Sequence, residues 1–184
     1  MNQETGRSDD ELVGLARAGR SDGFEGLYMR HAKRVYNIAK RMLGDDAVAE
    51  DVTQDVFMQV FRAIDRFRGA SEFTTWLHRI THNTCVNRLR AAKVRTAASL
   101  DSETAAVPPS DEPNAEEILR RDDLQHEIQR ALERMEPEHR AILLLRVIEN
   151  KSYADIAALT DQSEDQVRGK LYRARKAFIQ HFRL

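Results

Sequence analysis

An internal disulfide is excluded at the outset, because the 184-residue chain carries a single cysteine, Cys85. A lone thiol suits a reducing compartment. Proline and glycine are scarce, at four and eight residues, and β-branched residues seldom alternate with polar ones. A strand-rich fold is therefore not expected. No apolar run approaches the roughly 20 residues needed to cross a bilayer. The opening MNQETGRSDDE lacks a basic stretch followed by an apolar one, so neither export nor membrane insertion is expected and the cytoplasm is the expected compartment. What remains is 41% apolar and 32% charged residues, enough to bury a real core in one domain or two small ones. The chain reads as all-α.

Net charge is only −1, but the charges are sorted into blocks. Residues 166–184 hold Arg168, Lys170, Arg173, Arg175, Lys176 and Arg183 without an acid, and 31–44 hold Lys33, Arg34, Lys40 and Arg41 likewise. Between 62 and 95, eight bases face only Asp65 and Glu72. Asp45, Asp46, Glu50, Asp51 and Asp55 lie together with no base among them, and residues 96–118 carry six acids and no base. Charge scattered over solvated helix faces would be mixed. Blocks of this kind suggest basic faces for phosphate and acidic faces for a basic protein partner.

Helix signals follow one another along the chain. Ser8 with Glu11 is a capping-box start, followed by Leu12, Leu15 and Ala16 up to Gly19. A second helix is expected from about Phe24 through Leu27, Tyr28, His31, Val35, Ile38 and Met42, with Gly44 as its stop. A third opens near Asp45, with acids in its first turn, and should bury Ala49, Val52, Val56, Val60 and Ile64. After a short loop, Phe67-Arg68-Gly69-Ala70-Ser71, a fourth helix should turn Phe73, Leu77, Ile80 and Thr84 to one side, with Trp76 beside them.

Composition then shifts. TAASLDSETAAVPPSDEPNAEE has three prolines, little apolar material and net negative charge, as a flexible linker does. Beyond it a second helical unit is expected from Glu116, with Leu119, Leu124, Ile128, Ala131, Leu132 and Met135 as its apolar stripe. Pro137 is suited to the first position of a helix through Ile142, Leu145 and Ile148. The expected organisation is two small helical domains, 1–93 and 116–184, joined by a flexible acidic linker over 94–115.

The last segment is the most diagnostic. Ser152 to Asp155 resembles the cap of a short helix through Ile156 and Ala157, and Ser163 to Gln166 resembles a second capping box. The helix after it turns Val167, Leu171 and Phe178 inward and keeps a basic outer face. Two short helices, a tight turn and a basic second helix describe a helix-turn-helix. Arg168, Gly169, Tyr172 and Arg173 are then placed to meet base edges and phosphates, with Lys176 alongside. A core helix with a basic outer face is the plainer alternative.

One stretch, FTTWLHRITHNTCVNRLR over 73–90, admits a chemical reading. His78, His82 and Cys85 stand at i, i+4 and i+7, one stripe of a helix, and are zinc-type ligands. No fourth ligand is nearby, and HRITH lacks the glutamate of a zinc hydrolase. The same stretch carries arginines and asparagines that suit nucleic acid.

Taken together, these segments resemble the extracytoplasmic-function (ECF) sigma factors, small bacterial initiation factors with only sigma regions two and four. AEDVTQDVFMQVFRAIDRFRG is similar to the helix and loop that dock on the polymerase clamp, and FTTWLHRITHNTCVNRLR to the minus-ten melting helix. MEPEHRAILLLRVIENKSYADIAALT with QVRGKLYRARKAF is similar to region four, which reads the minus-thirty-five element. The resemblance covers nearly the whole chain. It implies core RNA polymerase, promoter DNA and an anti-sigma factor as partners, with no cofactor, no metal and no catalysis. It also implies clamp contacts through Asp51, Gln54 and Asp55. Asp55 stands where relatives usually have Glu, Asp161 where the turn usually has glycine, and Gly169 where a small polar residue is common.

Under that resemblance the loop from Phe67 to Phe73, with Arg68 and Ser71, would hold a flipped base. Arg79, Asn83, Asn87 and Arg90 would contact the minus-ten strand. Trp76 is open to two roles, stacking on DNA or packing with Leu77 and Ile80. His78, His82 and Cys85 become residues of a packed or DNA-facing helix, and Cys85 a buried structural thiol. The competing classes are a stand-alone helix-turn-helix regulator that does not bind polymerase and a metal enzyme built on His78 and His82.

Overall fold

The computed structural model describes residues 6–69, 71–98 and 115–182, and among these it contains helices and no strand. The expected linker falls largely on 99–114, outside the described residues. The chain divides into two compact units, Met1–Asn87 with Ala158–Asp161, and Arg88–Ala157 with Gln162–Leu184.

The first unit begins with α1, Asp9–Arg17, whose N-cap Ser8 accepts from the Glu11 amide while the Glu11 carboxylate accepts from the Ser8 amide. That reciprocal pair satisfies two of the amides a helix start leaves open. Helix α2, Ser21–Leu43, starts three residues before Phe24 and has no side-chain cap. It stops at Gly44, which adopts φ 83°, a conformation that costs glycine little. Helix α3, Asp46–Ala63, is capped by Asp45, whose carboxylate accepts from the Val48 amide at 2.8 Å. It runs into a 3-10 turn, Ile64–Arg66.

Packing here follows the apolar spacing. Ala49, Val52, Val56, Val60 and Ile64 are all buried, as their period requires. They face Leu27, Val35, Ile38 and Met42 of α2 in a core shared with Leu12 of α1. Sealing one such valine or leucine from water stabilises by about 1.5–3 kcal/mol. Close approach of α1 and α2 depends on Gly23, where an added Cβ would lie 2.4 Å from the Ala16 amide nitrogen and 2.7 Å from the Leu12 carbonyl oxygen.

Helix α4, Phe73–Ala98, corrects the expected phase. Phe73 and Leu77 are buried, but the stripe continues through His78, Thr81, His82, Cys85 and Val86, leaving Ile80 and Thr84 half-exposed. Polar residues can occupy that stripe because a buried hydroxyl finds a partner within the helix: Thr81 donates to the Leu77 carbonyl at 2.9 Å.

After α4, α5 spans Ala115–Glu133, α6 Pro137–Val147, α7 Tyr153–Thr160 and α8 Glu164–His181. Pro137 opens α6 as expected. Ala131, Leu132, Met135, Ile142, Leu145, Ile156, Val167 and Leu171 form the core. Leu124, Ile128 and Ile148, expected inside, are exposed. Phe178 is half-buried and stacks on Phe182, ring centroids 5.3 Å apart, while Ala174 fills the inward position on α8. Arg140 is buried and donates Nε–H to the Leu132 carbonyl at 2.6 Å, a charge-assisted bond that closes the C-terminus of α5. Burial pushes its guanidinium below the usual range, opposed by the charge of Glu133.

Candidate nucleic-acid interface

The helix-turn-helix is assembled by its caps. Ser152 Oγ accepts from the Asp155 amide and the Asp155 carboxylate accepts from the Ser152 amide, each at 3.0 Å. The Ser152 hydroxyl's bond to that carboxylate, together with the Ser152 amide's, holds the Asp155 carboxyl below its ordinary range. Eleven positions further on, Ser163 and Gln166 form the same reciprocal box at the start of α8. Between the two helices Asp161 takes φ 56°, the left-handed conformation that Asp adopts more readily than most residues. The expected substitution for glycine holds.

With both ends set, α8 buries Val167, Leu171 and Ala174 and turns out Arg168, Tyr172, Arg173, Arg175 and Lys176, all exposed. Tyr172 is 71% exposed. Gly169 is half-buried, and a Cβ there would meet the Arg173 guanidinium at 3.7 Å.

Arg79, Asn83, Asn87 and Arg90 are exposed at steps of four, four and three, one stripe along α4. His78, His82 and Cys85 occupy the opposite, buried side. The spacing that suggested a metal is the spacing of a core stripe. Among the described residues no group of three or more His, Cys, Asp or Glu could hold a metal ion. Trp76 is half-buried, its ring 5.0 Å from Phe67 and 5.9 Å from Phe73. Phe67 and Phe73 also meet edge to face at 6.0 Å. Both are buried, so the loop between them exposes Arg68, Gly69, Ser71 and Glu72 among its described residues.

The acidic face of α3 carries Asp51, Gln54 and Asp55, all exposed. Sequence reasoning missed its apolar continuation. Met58 is 51% and Phe61 61% exposed on the same helix, and Phe61 meets Phe24 of α2 edge to face at 5.3 Å. The available signal was that both residues fall out of phase with the buried stripe. Sequence reasoning also missed Tyr153, at the start of α7. No helix among the described residues is long and apolar enough to cross a membrane.

Comparison with known proteins places the chain in a family. Residues 27–95 match the family model of sigma-70 region 2, and residues 125–178 that of sigma-70 region 4. The chain is 36% identical over 150 residues to the ECF RNA polymerase sigma factor SigE of Mycolicibacterium smegmatis, covering 82% of this chain and 58% of that one. It is 31% identical to the ECF RNA polymerase sigma-E factor of Escherichia coli, over 92% of both chains. The fold also matches a solved structure, the sigma factor RpoE in complex with the anti-sigma factor NepR from Bartonella quintana. There the TM-score is 0.61 at 20% identity, over 86% of this chain and 95% of the other.

Proposed function

We propose a division of labour within this chain, which belongs to the sigma-70 family and, within it, to the ECF RNA polymerase sigma factors. It directs core RNA polymerase to promoters and assists strand opening. The exposed acids of α3, Asp51, Gln54 and Asp55, hold a basic surface on the polymerase clamp. Arg68, Ser71, Arg79, Asn83, Asn87 and Arg90 contact the minus-ten strand. Arg168, Gly169, Tyr172, Arg173 and Lys176 engage the minus-thirty-five duplex. Trp76 supports the minus-ten surface from beneath through its contacts with Phe67 and Phe73. The functional domains are 1–93 and 116–184, tethered by 94–115, and the place of work is the cytoplasm.

The mechanism requires no covalent chemistry. Contacts to phosphate fix register on the upstream duplex, and base-edge contacts supply the sequence preference. Capturing unpaired bases costs a few kcal/mol of unstacking per flipped base. Binding energy from the polymerase and from both DNA faces offsets that cost. The observation that carries this reading is the order of two family regions on units whose exposed faces hold these residues.

Control by an anti-sigma factor belongs to the same reading. It is supported by the structurally similar sigma factor solved with such a partner. Two domains on one tether gain from effective concentration, so two modest contacts could give tight inhibition. Reconstitution with core polymerase, followed by sequencing of the dependent transcripts, tests the central claim. A stand-alone regulator would bind DNA yet fail to co-purify with polymerase or support initiation.

A further inference from the structure

Two arginines converge on the ring of Tyr153, the first residue of α7. The Arg146 guanidinium carbon lies 5.6 Å from the ring centroid and that of Arg168 lies 6.0 Å from it. The three residues come from the last turn of α6, the first position of α7 and the fifth position of α8. Local sequence does not bring them together. Only the folded helix-turn-helix does.

The ring is well anchored. Tyr153 directly follows Ser152, the cap residue whose hydroxyl and amide are both bonded to Asp155. Arg146 is held from the other side, donating Nη1–H to the Lys151 carbonyl at 3.0 Å. Tyr153 is itself half-buried. Arg168 is the exposed member. Its ion pair with Asp165 is long at 3.4 Å, and both side chains are mostly exposed at 66% and 90%. Such a surface pair holds a side chain weakly. An arginine over an aromatic face is attracted by the ring quadrupole and prefers to lie flat against it.

The geometry points to Tyr153 as a positioning residue that aims the Arg168 guanidinium at DNA and keeps it from folding back onto Asp165. This rests on the proposed role of α8 in promoter binding and goes beyond it, by naming what orients one of its arginines. A long flexible side chain loses rotamer freedom on binding, and a platform that restricts it beforehand lowers that cost. Removal of the ring should therefore weaken DNA binding only through Arg168.

The test is a double-mutant cycle on the full-length protein bound to core polymerase. The probe is a duplex selected by the parent complex from a random-sequence library. Tyr153→Leu should weaken binding by roughly three- to tenfold, the range expected for loss of a cation–π contact and the order it provides. Tyr153→Phe, which keeps the ring, should bind within about twofold of the parent. In an Arg168→Ala background, Tyr153→Leu should have little further effect, because the group it orients is gone. Thermal melting of each variant separates lost folding from lost binding, and Tyr153→Trp provides a second ring-bearing control.

Equal losses from Tyr153→Leu with and without Arg168 would overturn the inference while leaving promoter binding intact. So would a loss in Tyr153→Phe as large as in Tyr153→Leu, since the hydroxyl would then be contacting DNA itself. A parent complex that enriches no duplex would instead overturn the promoter-binding reading, and the inference with it.

Discussion

Asp9 and His31 meet across the junction of α1 and α2, with His31 Nε2 2.9 Å from one carboxylate oxygen of Asp9. The other oxygen accepts from the Arg30 guanidinium at 2.6 Å. Burial pushes the Asp9 carboxyl up, but the bonds and charges of Arg30 and His31 outweigh it and hold the group below its ordinary value of 3.8. A short N-terminal helix is thereby pinned by one carboxylate.

The pH dependence follows from the sign of that shift. A carboxyl depressed in the folded state contributes stability above its unfolded value and loses it as pH falls through the folded value. Asp9→Asn should therefore melt earlier than the parent at pH 7, by about 1 kcal/mol after allowance for solvent screening. The difference should shrink below about pH 4 and vanish under the folded value. A gap unchanged between pH 7 and pH 3 would assign the effect to packing.

Two glycines should respond in opposite directions to alanine. At Gly23 the new methyl would meet α1 backbone at 2.4 and 2.7 Å, so the helices must part. Overpacking of this kind costs about 1–3 kcal/mol. At Gly14, inside α1, no foreign atom lies within 4 Å. Gly14→Ala should stabilise by up to about 1 kcal/mol through helix propensity. Denaturant melts of both variants settle the matter, and a stable Gly23→Ala protein would contradict the packing described for α1.

The clamp assignment is tested by Asp51→Arg combined with Asp55→Arg. Both side chains are exposed, so helical content by circular dichroism should be unchanged. Binding to core polymerase should be lost, since two attractive charges become repulsive. Undiminished binding by the double variant would remove α3 from the docking surface.

On α8, Arg173→Ala should cost about 1–3 kcal/mol on the preferred duplex and relax preference at one position if the side chain reads a base edge. Lys176→Ala should weaken binding evenly across sequences and lower the salt slope by about one, as loss of a phosphate contact does. Titrations at several salt concentrations distinguish the two. Identical behaviour of both variants on every duplex would argue against base readout.

Much of this protein was legible in its sequence because the relevant forces act within a few residues. The capping boxes at Ser8 and Ser163 and the Asp45 cap each depend on a side chain reaching an amide three positions away. The stop at Gly44 and the left-handed turn at Asp161 depend on backbone sterics alone. The buried stripe of α3 was readable because Ala49, Val52, Val56 and Val60, continued by Ile64 in the next turn, are apolar and regularly spaced. Helix α4 was not, because its inward stripe mixes Leu77 and Val86 with His78, Thr81, His82 and Cys85. Hydropathy does not mark such a face, and only the helices packed against it decide which side is inside. The same holds for Leu124, Ile128 and Ile148, whose apolar character favoured burial that no neighbour among the described residues supplies. The meeting of Arg146 and Arg168 at Tyr153 joins positions up to 22 residues apart across three helices. Local sequence determined where each of those helices begins, and the tertiary fold alone determined that their side chains converge.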